Sequence, residues 1–253
     1  MSRQDLVRLS QSHLNLIDIC PPKFQQIYLD GRGTIKDLRQ RESINWGSQF
    51  HLLMQQQELA LPIASILAGD PELNSAFTAL VSAVGLETRD DVWREAEHCR
   101  TLSRGGFVLT VIYDLLWAQS DRAIILDWKT YRQPQQADKL ALNWQTRLYL
   151  YVLAETSEYA PEQIEMTYWF VRSGKPQNVT FKYNTLQHQQ AERDLTALLA
   201  NLETWLQNYQ LDQTDFPHRY DCEQQCPYYQ SLCQDKEQQE LMASIEEIEE
   251  ISI

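Results

Sequence analysis

Ile124-Ile125-Leu126-Asp127-Trp128-Lys129-Thr130 is an apolar run into which an acid and an amine are set two residues apart. Successive side chains of a strand alternate between faces, so Asp127 and Lys129 share one. Upstream, Phe107 to Trp117 is another β-forming run, joined to Ala123–Thr130 through Gln119-Ser120-Asp121-Arg122. A turn centred on Ser120-Asp121 sets Asp114 directly across from Asp127, with Cβ atoms roughly 5 Å apart. Two carboxylates at that separation repel by about 3 kcal/mol at an effective dielectric near ~20, so both stay ionised only beside a cation. A hard divalent ion such as magnesium or manganese takes oxygen ligands and keeps waters, one of which can become a nucleophile. Lys129 would orient or deprotonate that water and offset charge developing on a phosphate. An isolated Asp-x-Lys is common on solvated strand faces. Here Val111, Ile112, Leu115, Leu116, Ile124, Ile125, Leu126 and Trp128 make both strands apolar on two faces, as in a central sheet, where an unpaired charge is costly.

The flanks supply the rest of the architecture. Val92 to Arg100, joined to Phe107–Trp117 through Ser103-Arg104-Gly105-Gly106, adds a third strand and makes an antiparallel meander. Leu142 to Glu155 returns to helical spacing. Gln163–Val171 and Asn178–Tyr183 alternate again around Ser173-Gly174-Lys175-Pro176, and a helix follows from about Leu186 to Tyr209. Strand, helix and strand in series require a crossover, so the expected class is α/β, a mixed central β-sheet flanked by helices. Before the meander the chain reads as helical. Leu6, Leu9, Leu14 and Ile17 predict a helix over residues 4–19 that stops at Cys20-Pro21-Pro22, and a short one runs from Lys23 to Leu29. Gly47-Ser48 opens a helix running toward Leu61 and broken at Pro62. Asp70-Pro71-Glu72 starts another, with Asp70 as cap, and Gly85 stops it. The expected organisation is one domain over residues 1–233: a helical part (1–88), a sheet core (89–183) and a C-terminal helix with a cysteine segment (184–233). An acidic tail follows (234–253), whose Ile245, Ile248, Ile251 and Ile253 among glutamates suit a terminal helix or a loose segment.

Of 253 residues, 43% are hydrophobic and 10% aromatic, enough for one sizeable core. The longest uncharged apolar stretches, such as Leu59–Ala68, fall short of the ~20 residues that cross a bilayer. Met1-Ser2-Arg3-Gln4-Asp5-Leu6 opens with charges and no apolar segment, so a cytoplasmic protein is expected. Five cysteines in that reducing compartment read as core, metal or redox residues rather than disulfides. The net charge of −13 at face value opposes a polyanionic partner. The distribution softens this: residues 234–253 carry −6, residues 1–233 carry −7, and residues 1–41 carry +3, leaving room for a basic face at one end.

Asp114, then Asp127-Trp128-Lys129-Thr130, then Gln145-Thr146-Arg147-Leu148-Tyr149, resemble motifs II, III and the Gln-x-x-x-Tyr motif of the PD-(D/E)XK nucleases, specifically the RecB-like branch. Gly47-Ser48-Gln49-Phe50-His51 resembles its helix-borne Gly-x-x-x-His, and Leu14 to Phe24 resembles its opening Cys-Pro-x-Lys-Phe segment. The resemblance spans residues 14–233 in the family's order. It implies a restriction-endonuclease-like core with His51, Asp114 and Asp127 as metal ligands, the Trp128 carbonyl as a further candidate, and Lys129 as the catalytic lysine. Gln145 and Tyr149, four apart on one helix face, would steady the lysine or touch nucleic acid. Val111 and Tyr131 stand where the family often has glycine, which bears on substrate clearance. Glu95 and Glu97 are alternative ligands on a strand face otherwise read as solvated.

Cys222-Glu-Gln-Gln-Cys226-Pro-Tyr-Tyr-Gln-Ser-Leu-Cys233 is a C-x3-C-x6-C array, and Cys20 can supply a fourth thiolate. Four soft ligands suit an iron-sulfur cluster or a tetrahedral zinc. The arrangement is similar to that of RecB-like nucleases, CRISPR adaptation nucleases among them, that hold a 4Fe-4S cluster. The spacing there is commonly C-x2-C-x5-C, and zinc or unligated thiols stay open as alternatives. Cys99 reads as a small core residue.

These readings imply a magnesium- or manganese-dependent deoxyribonuclease, an exonuclease of repair or recombination. Its substrate would be single-stranded or end-containing DNA, with a helicase or CRISPR partner unspecified. The rivals are a catalytically silent nucleic-acid-binding or assembly module with the same fold, and a zinc-stapled RNA-processing factor.

Overall fold

The computed structural model describes residues 7–32, 38–85, 92–131, 135–172, 175–230 and 232, with the backbone alone for 38–44 and 225. The chain divides into two compact units, Met1–Ser12 with Ile35–Leu199, and His13–Thr34 with Ala200–Ile253. The first holds a six-stranded mixed sheet.

Its strands are β1 (Val7–Leu9), β2 (Trp93–Arg104), β3 (Phe107–Ala118), β4 (Ala123–Lys129), β5 (Ile164–Phe170) and β6 (Gln177–Lys182). β2, β3 and β4 form the antiparallel meander expected from their turns. Gly105 and Gly106, at φ +55° and +79°, make the two-residue hairpin that pairs Arg104 with Phe107. β3 also pairs with β4 in the anticipated register, from Ala118↔Ala123 to Leu115↔Leu126. The described ladder ends there, one residue short of Asp114 and Asp127. Helices α6 (Ala137–Leu142) and α7 (Trp144–Glu155) then carry the chain across to β5, which lies parallel to β4 from Ala123↔Ile164 to Lys129↔Phe170, and β6 closes the sheet antiparallel to β5.

β4 is buried on both faces along almost its whole length, as a largely apolar strand in the middle of a sheet is. Its Leu126 and Trp128 join Leu115 in a core with α3 (Leu38–Glu58) and α5 (Pro71–Val84). α3 contributes Trp46, Phe50, Leu53 and Met54, and α5 contributes Leu73, Ala76, Phe77 and Leu80, each set at helical spacing. Fully burying a Phe or Leu of this kind is worth about 1.5–3 kcal/mol. α5 begins as predicted, Asp70 Oδ1 accepting from Leu73 N at 3.0 Å. A short α4 (Ala64–Gly69) precedes it and was not anticipated.

Two helical readings are corrected. The helix expected over residues 4–19 is α1, Gln11–Ile19 only, because Val7–Leu9 pair in parallel with Phe107–Leu109. β4 covers only the Leu115–Ala118 end of that edge of β3, which leaves the other end open to a strand. Residues 4–6 lie outside the described residues. Gly47 does not open a helix but sits inside α3, where a Cβ would stand 2.8 Å from Thr130 Oγ1. A glycine inside a helix costs about 1 kcal/mol against alanine, and close passage past Thr130 is its reason here.

The second unit holds most of α1, α2 (Pro21–Tyr28), the C-terminal part of α8 (Thr185–Asp212) and α9 (Cys222–Gln225). Phe24 stacks on Phe216, which also meets Trp205 and Tyr209. Buried Gln25 donates to Asp215 Oδ1 at 2.8 Å and accepts from Phe216 N at 2.6 Å, so its amide is used at both ends. Cys20 precedes α2 and its carbonyl accepts from Lys23 N and Phe24 N, which fixes the thiol at the helix start. The tail, residues 234–253, and Ser173-Gly174 lie outside the described residues.

Candidate active site

Beyond Leu115↔Leu126, the position opposite Asp127 is held by the carboxylate of Asp114, whose Oδ2 accepts from Trp128 N at 2.6 Å. Oδ1 lies 3.1 Å from Nδ1 of His51 on α3. Asp127, 3% exposed, and Lys129, 8% exposed, leave β4 on the face opposite Leu126 and Trp128, toward α7. Lys129 Nζ forms an ion pair with Asp127 Oδ1 at 2.7 Å, off the hydrogen-bonding direction. Lys129 also donates to Gln145 Oε1 at 2.6 Å, and Gln145 Nε2 donates to Asp127 Oδ2 at 2.6 Å. Acid, amine and amide therefore close a ring. Gln145 is held in turn at the start of α7, where Asn143 Oδ1 caps its backbone N–H at 2.7 Å. Tyr149, one helical turn on, is buried, and Tyr113 donates to its carbonyl at 3.0 Å.

The six residues singled out in sequence, His51, Asp114, Asp127, Lys129, Gln145 and Tyr149, all line one open cleft of about 660 Å³. A seventh joins them. The ligand atoms of His51, Glu97 and Asp114 lie within 4.8 Å of one another. Glu97 sits between the pairs Ala96↔Leu115 and His98↔Tyr113, and so faces Asp114 across the ladder, with φ at +53° inside a strand. Such a conformation costs a non-glycine residue about 1–3 kcal/mol and persists where the surroundings impose it. The solvated face read for Glu97 is thus corrected, whereas Glu95 bonds His98 at 2.7 Å. The signal was available: counting back from the Gly105-Gly106 turn puts 97 opposite 114.

Burial pushes the Asp127 carboxyl up, reinforced by Asp114 and only partly offset by Lys129. Burial alone would lower Lys129, but Asp127 leads the neighbours that outweigh it, and the ammonium is held above its ordinary value. His51 behaves likewise, burial opposing and Asp114 leading the carboxylates that raise it. Glu97 is raised by burial first and then by Asp114. The cleft is therefore crowded with acids that repel one another, which a cation relieves. Two carboxylates and one imidazole at this spacing form a mainly oxygen donor set that fits manganese or magnesium, the oxygens being the hard donors and the imidazole a borderline one.

A separate cluster lies in the second unit. The Sγ atoms of Cys20, Cys222 and Cys226 lie within 4.8 Å of one another, and Cys233 is outside the described residues. Burial, then the bond to Cys226, pushes the Cys20 thiol up to about 12. Three crowded thiols become thiolates only with a cation among them, so the donor set fits a soft metal. His218, which the sequence reading passed over, has Nδ1 3.2 Å from Cys222 Sγ. Its signal is position alone, four residues before Cys222. Cys99, expected in the core, is exposed on β2 opposite the exposed Ile112. Among the described residues that part of the meander face is open to solvent, which leaves its small apolar side chain outside the core.

The profile of the PD-(D/E)XK nuclease superfamily matches this chain over residues 8–234. No curated protein matches it. Among solved structures, a putative exonuclease from Eubacterium rectale aligns over 88% of this chain and 87% of its own, with TM-score 0.53 at 10% identity, a likeness of fold. SSO0001 aligns over 90% of this chain and 86% of its own, with TM-score 0.36 at 11% identity. No helix among the described residues is long and apolar enough to cross a membrane.

Proposed function

The chain belongs to the PD-(D/E)XK nuclease superfamily, and from that footing we propose that it is a magnesium- or manganese-dependent deoxyribonuclease. It would act as an exonuclease on single-stranded or end-containing DNA in repair or recombination. One arrangement supports this above all: the Asp127–Lys129–Gln145 ring and the His51–Glu97–Asp114 group line the same cleft.

His51, Asp114 and Glu97 would hold the divalent ion, with Asp127 as the further carboxylate, and the bound ion would lower the pKa of a water and neutralise phosphate charge. The remaining work falls to the chain's own groups. Asp127 keeps Lys129 protonated, so Nζ can donate to a phosphate oxygen as negative charge develops there. Gln145 holds both members of that pair and limits the rotamers of a flexible lysine. Trp128 N fixes one oxygen of Asp114, which leaves the other directed at His51. Tyr149, whose phenol burial pushes above its ordinary value, stays neutral and hydrogen-bonds the Gln145 side chain.

The test is degradation of end-labelled single- and double-stranded DNA with and without manganese. Lys129→Met should lose about 10²–10³-fold in kcat, the scale of one charge-stabilising donor, in protein that is still folded at the assay temperature although its Tm is lowered by the unpaired Asp127. Wild-type protein that cleaves no form of DNA with either metal would replace this reading by that of a silent binding module.

The cysteines would hold a structural soft-metal centre, a 4Fe-4S cluster with zinc as the alternative. Thiols gathered within 4.8 Å of one another supply soft donors for either group. Metal content and visible absorption of anaerobically purified protein separate the two.

A further inference from the structure

The cleft that holds the acids and the lysine has a second character. Three of its lining residues are apolar and open to solvent: Leu52 on α3 is 50% exposed, Ile112 on β3 is 45% exposed, and Tyr131, just past β4, is 46% exposed. They come from three separate parts of the chain and line the same cleft. Leu52 follows His51, Ile112 precedes Asp114 by two residues on the same strand, and the Tyr131 ring centroid is 6.0 Å from Lys129 Nζ. Exposed apolar groups that gather at a functional cleft mark a surface that something covers.

The charges of the same walls say what covers it. Proteins that grip a duplex by its backbone do so with several lysines and arginines, each releasing counterions from a phosphate. Among the described residues lining this cleft the basic side chains are Lys129 and His51, against the three carboxylates of Glu97, Asp114 and Asp127. Beyond the one phosphate that a divalent ion and Lys129 would engage, backbone contacts are therefore a weak source of affinity here. The faces of unpaired bases are the other source, because every base offers a π-surface to an aromatic ring. A paired base inside a duplex has both faces occupied by its neighbours and cannot offer one.

Resting on the nuclease reading above, we propose that Tyr131 is a stacking platform for one unpaired base next to the scissile phosphate, flanked by Leu52 and Ile112. This subsite restricts the enzyme to single-stranded DNA or to a frayed end. The phosphate engages Lys129 while the adjoining base lies on Tyr131, so backbone and base of one nucleotide are read by residues two apart on the chain.

The experiment measures kcat and KM with manganese on a single-stranded oligonucleotide, on the corresponding blunt duplex, and on single strands carrying one abasic position at successive sites. Wild type, Tyr131→Ala and Tyr131→Phe are compared. Tyr131→Ala should raise KM for the single strand about 5- to 150-fold, the range for loss of one base–aromatic stack, with kcat within about twofold, and Tyr131→Phe should restore it. One abasic position should raise the wild-type KM to the same degree and leave that of Tyr131→Ala unmoved. The proposal is overturned if Tyr131→Ala leaves KM unchanged, if abasic and protein substitutions act independently, or if blunt duplex is cleaved as efficiently as single strands. Wild type that binds and cleaves no DNA overturns the nuclease reading and this subsite with it; cleavage that ignores Tyr131 overturns the subsite alone.

Discussion

Gly47→Ala puts the approach of α3 to the end of β4 under direct test. The new Cβ would lie 2.8 Å from Thr130 Oγ1, 3.6 Å from Thr130 Cβ and 3.8 Å from Cγ2. Only the first is a clash, so one oxygen carries the effect. Two terms compete. Alanine inside a helix is favoured over glycine by about 1 kcal/mol, whereas forcing an atom into a filled contact costs about 1–3 kcal/mol. The net expectation is a loss of up to roughly 2 kcal/mol, or a Tm lowered by up to about 8 °C in a chain of this size. Thr130 follows Lys129 directly, so relief of the clash by movement of the strand end would displace the lysine, and activity should fall more than stability. Thr130→Ala removes the oxygen and leaves a 3.6 Å methyl contact of ordinary length. In that background Gly47→Ala should instead raise stability by about 1 kcal/mol. Thermal melts and manganese-dependent cleavage of the four members of the cycle give the coupling, expected at about 1–3 kcal/mol. A single Gly47→Ala protein that melts several degrees above wild type and cleaves normally would refute the argument, since the propensity gain would then stand unopposed.

Glu58 pairs with Arg94 at 2.8 Å, yet burial outweighs Arg94 and holds its carboxyl above the ordinary 4.5. The folded state thus binds more protons than the unfolded one across that window, and this stabilising contribution is complete below about 4.5 and lost as pH rises through the raised value. Glu58→Gln should remove that slope: the Tm of the variant relative to wild type should climb between about pH 4 and neutrality, and a constant difference would contradict the assignment. His218→Ala should weaken metal retention at the cysteines about 10- to 100-fold, read by chelator competition. Unchanged retention would leave the 3.2 Å approach of His218 to Cys222 as mere packing.

The meander and its register were legible because turns and strands are local. Gln119 to Arg122 and Gly105-Gly106 each fix which residues stand opposite, and alternation does the rest. Asp114, Asp127 and Lys129 follow from that count, and Glu97 follows from the same count through the second turn. What the count omits is backbone conformation: a glutamate at φ +53° in mid-strand is imposed by its neighbours and has no composition of its own.

The second helical reading failed for the opposite reason. Gly47 looks like punctuation in a linear pattern, and only the passage of Thr130 against it explains its place inside a helix. Residues 7–9 lack any strong strand pattern, and they pair because β4 leaves part of the β3 edge uncovered. Amino-acid order alone thus determined the class, the order of elements and the facing pairs of the meander, since those depend on period and turn chemistry over a few residues. Tertiary structure decided how separate elements complete the cleft, bringing His51 of α3 to 3.1 Å from Asp114 and leaving the ring of Tyr131 exposed in its lining, because distances between separate elements are set by how their cores pack and not by spacing along the chain.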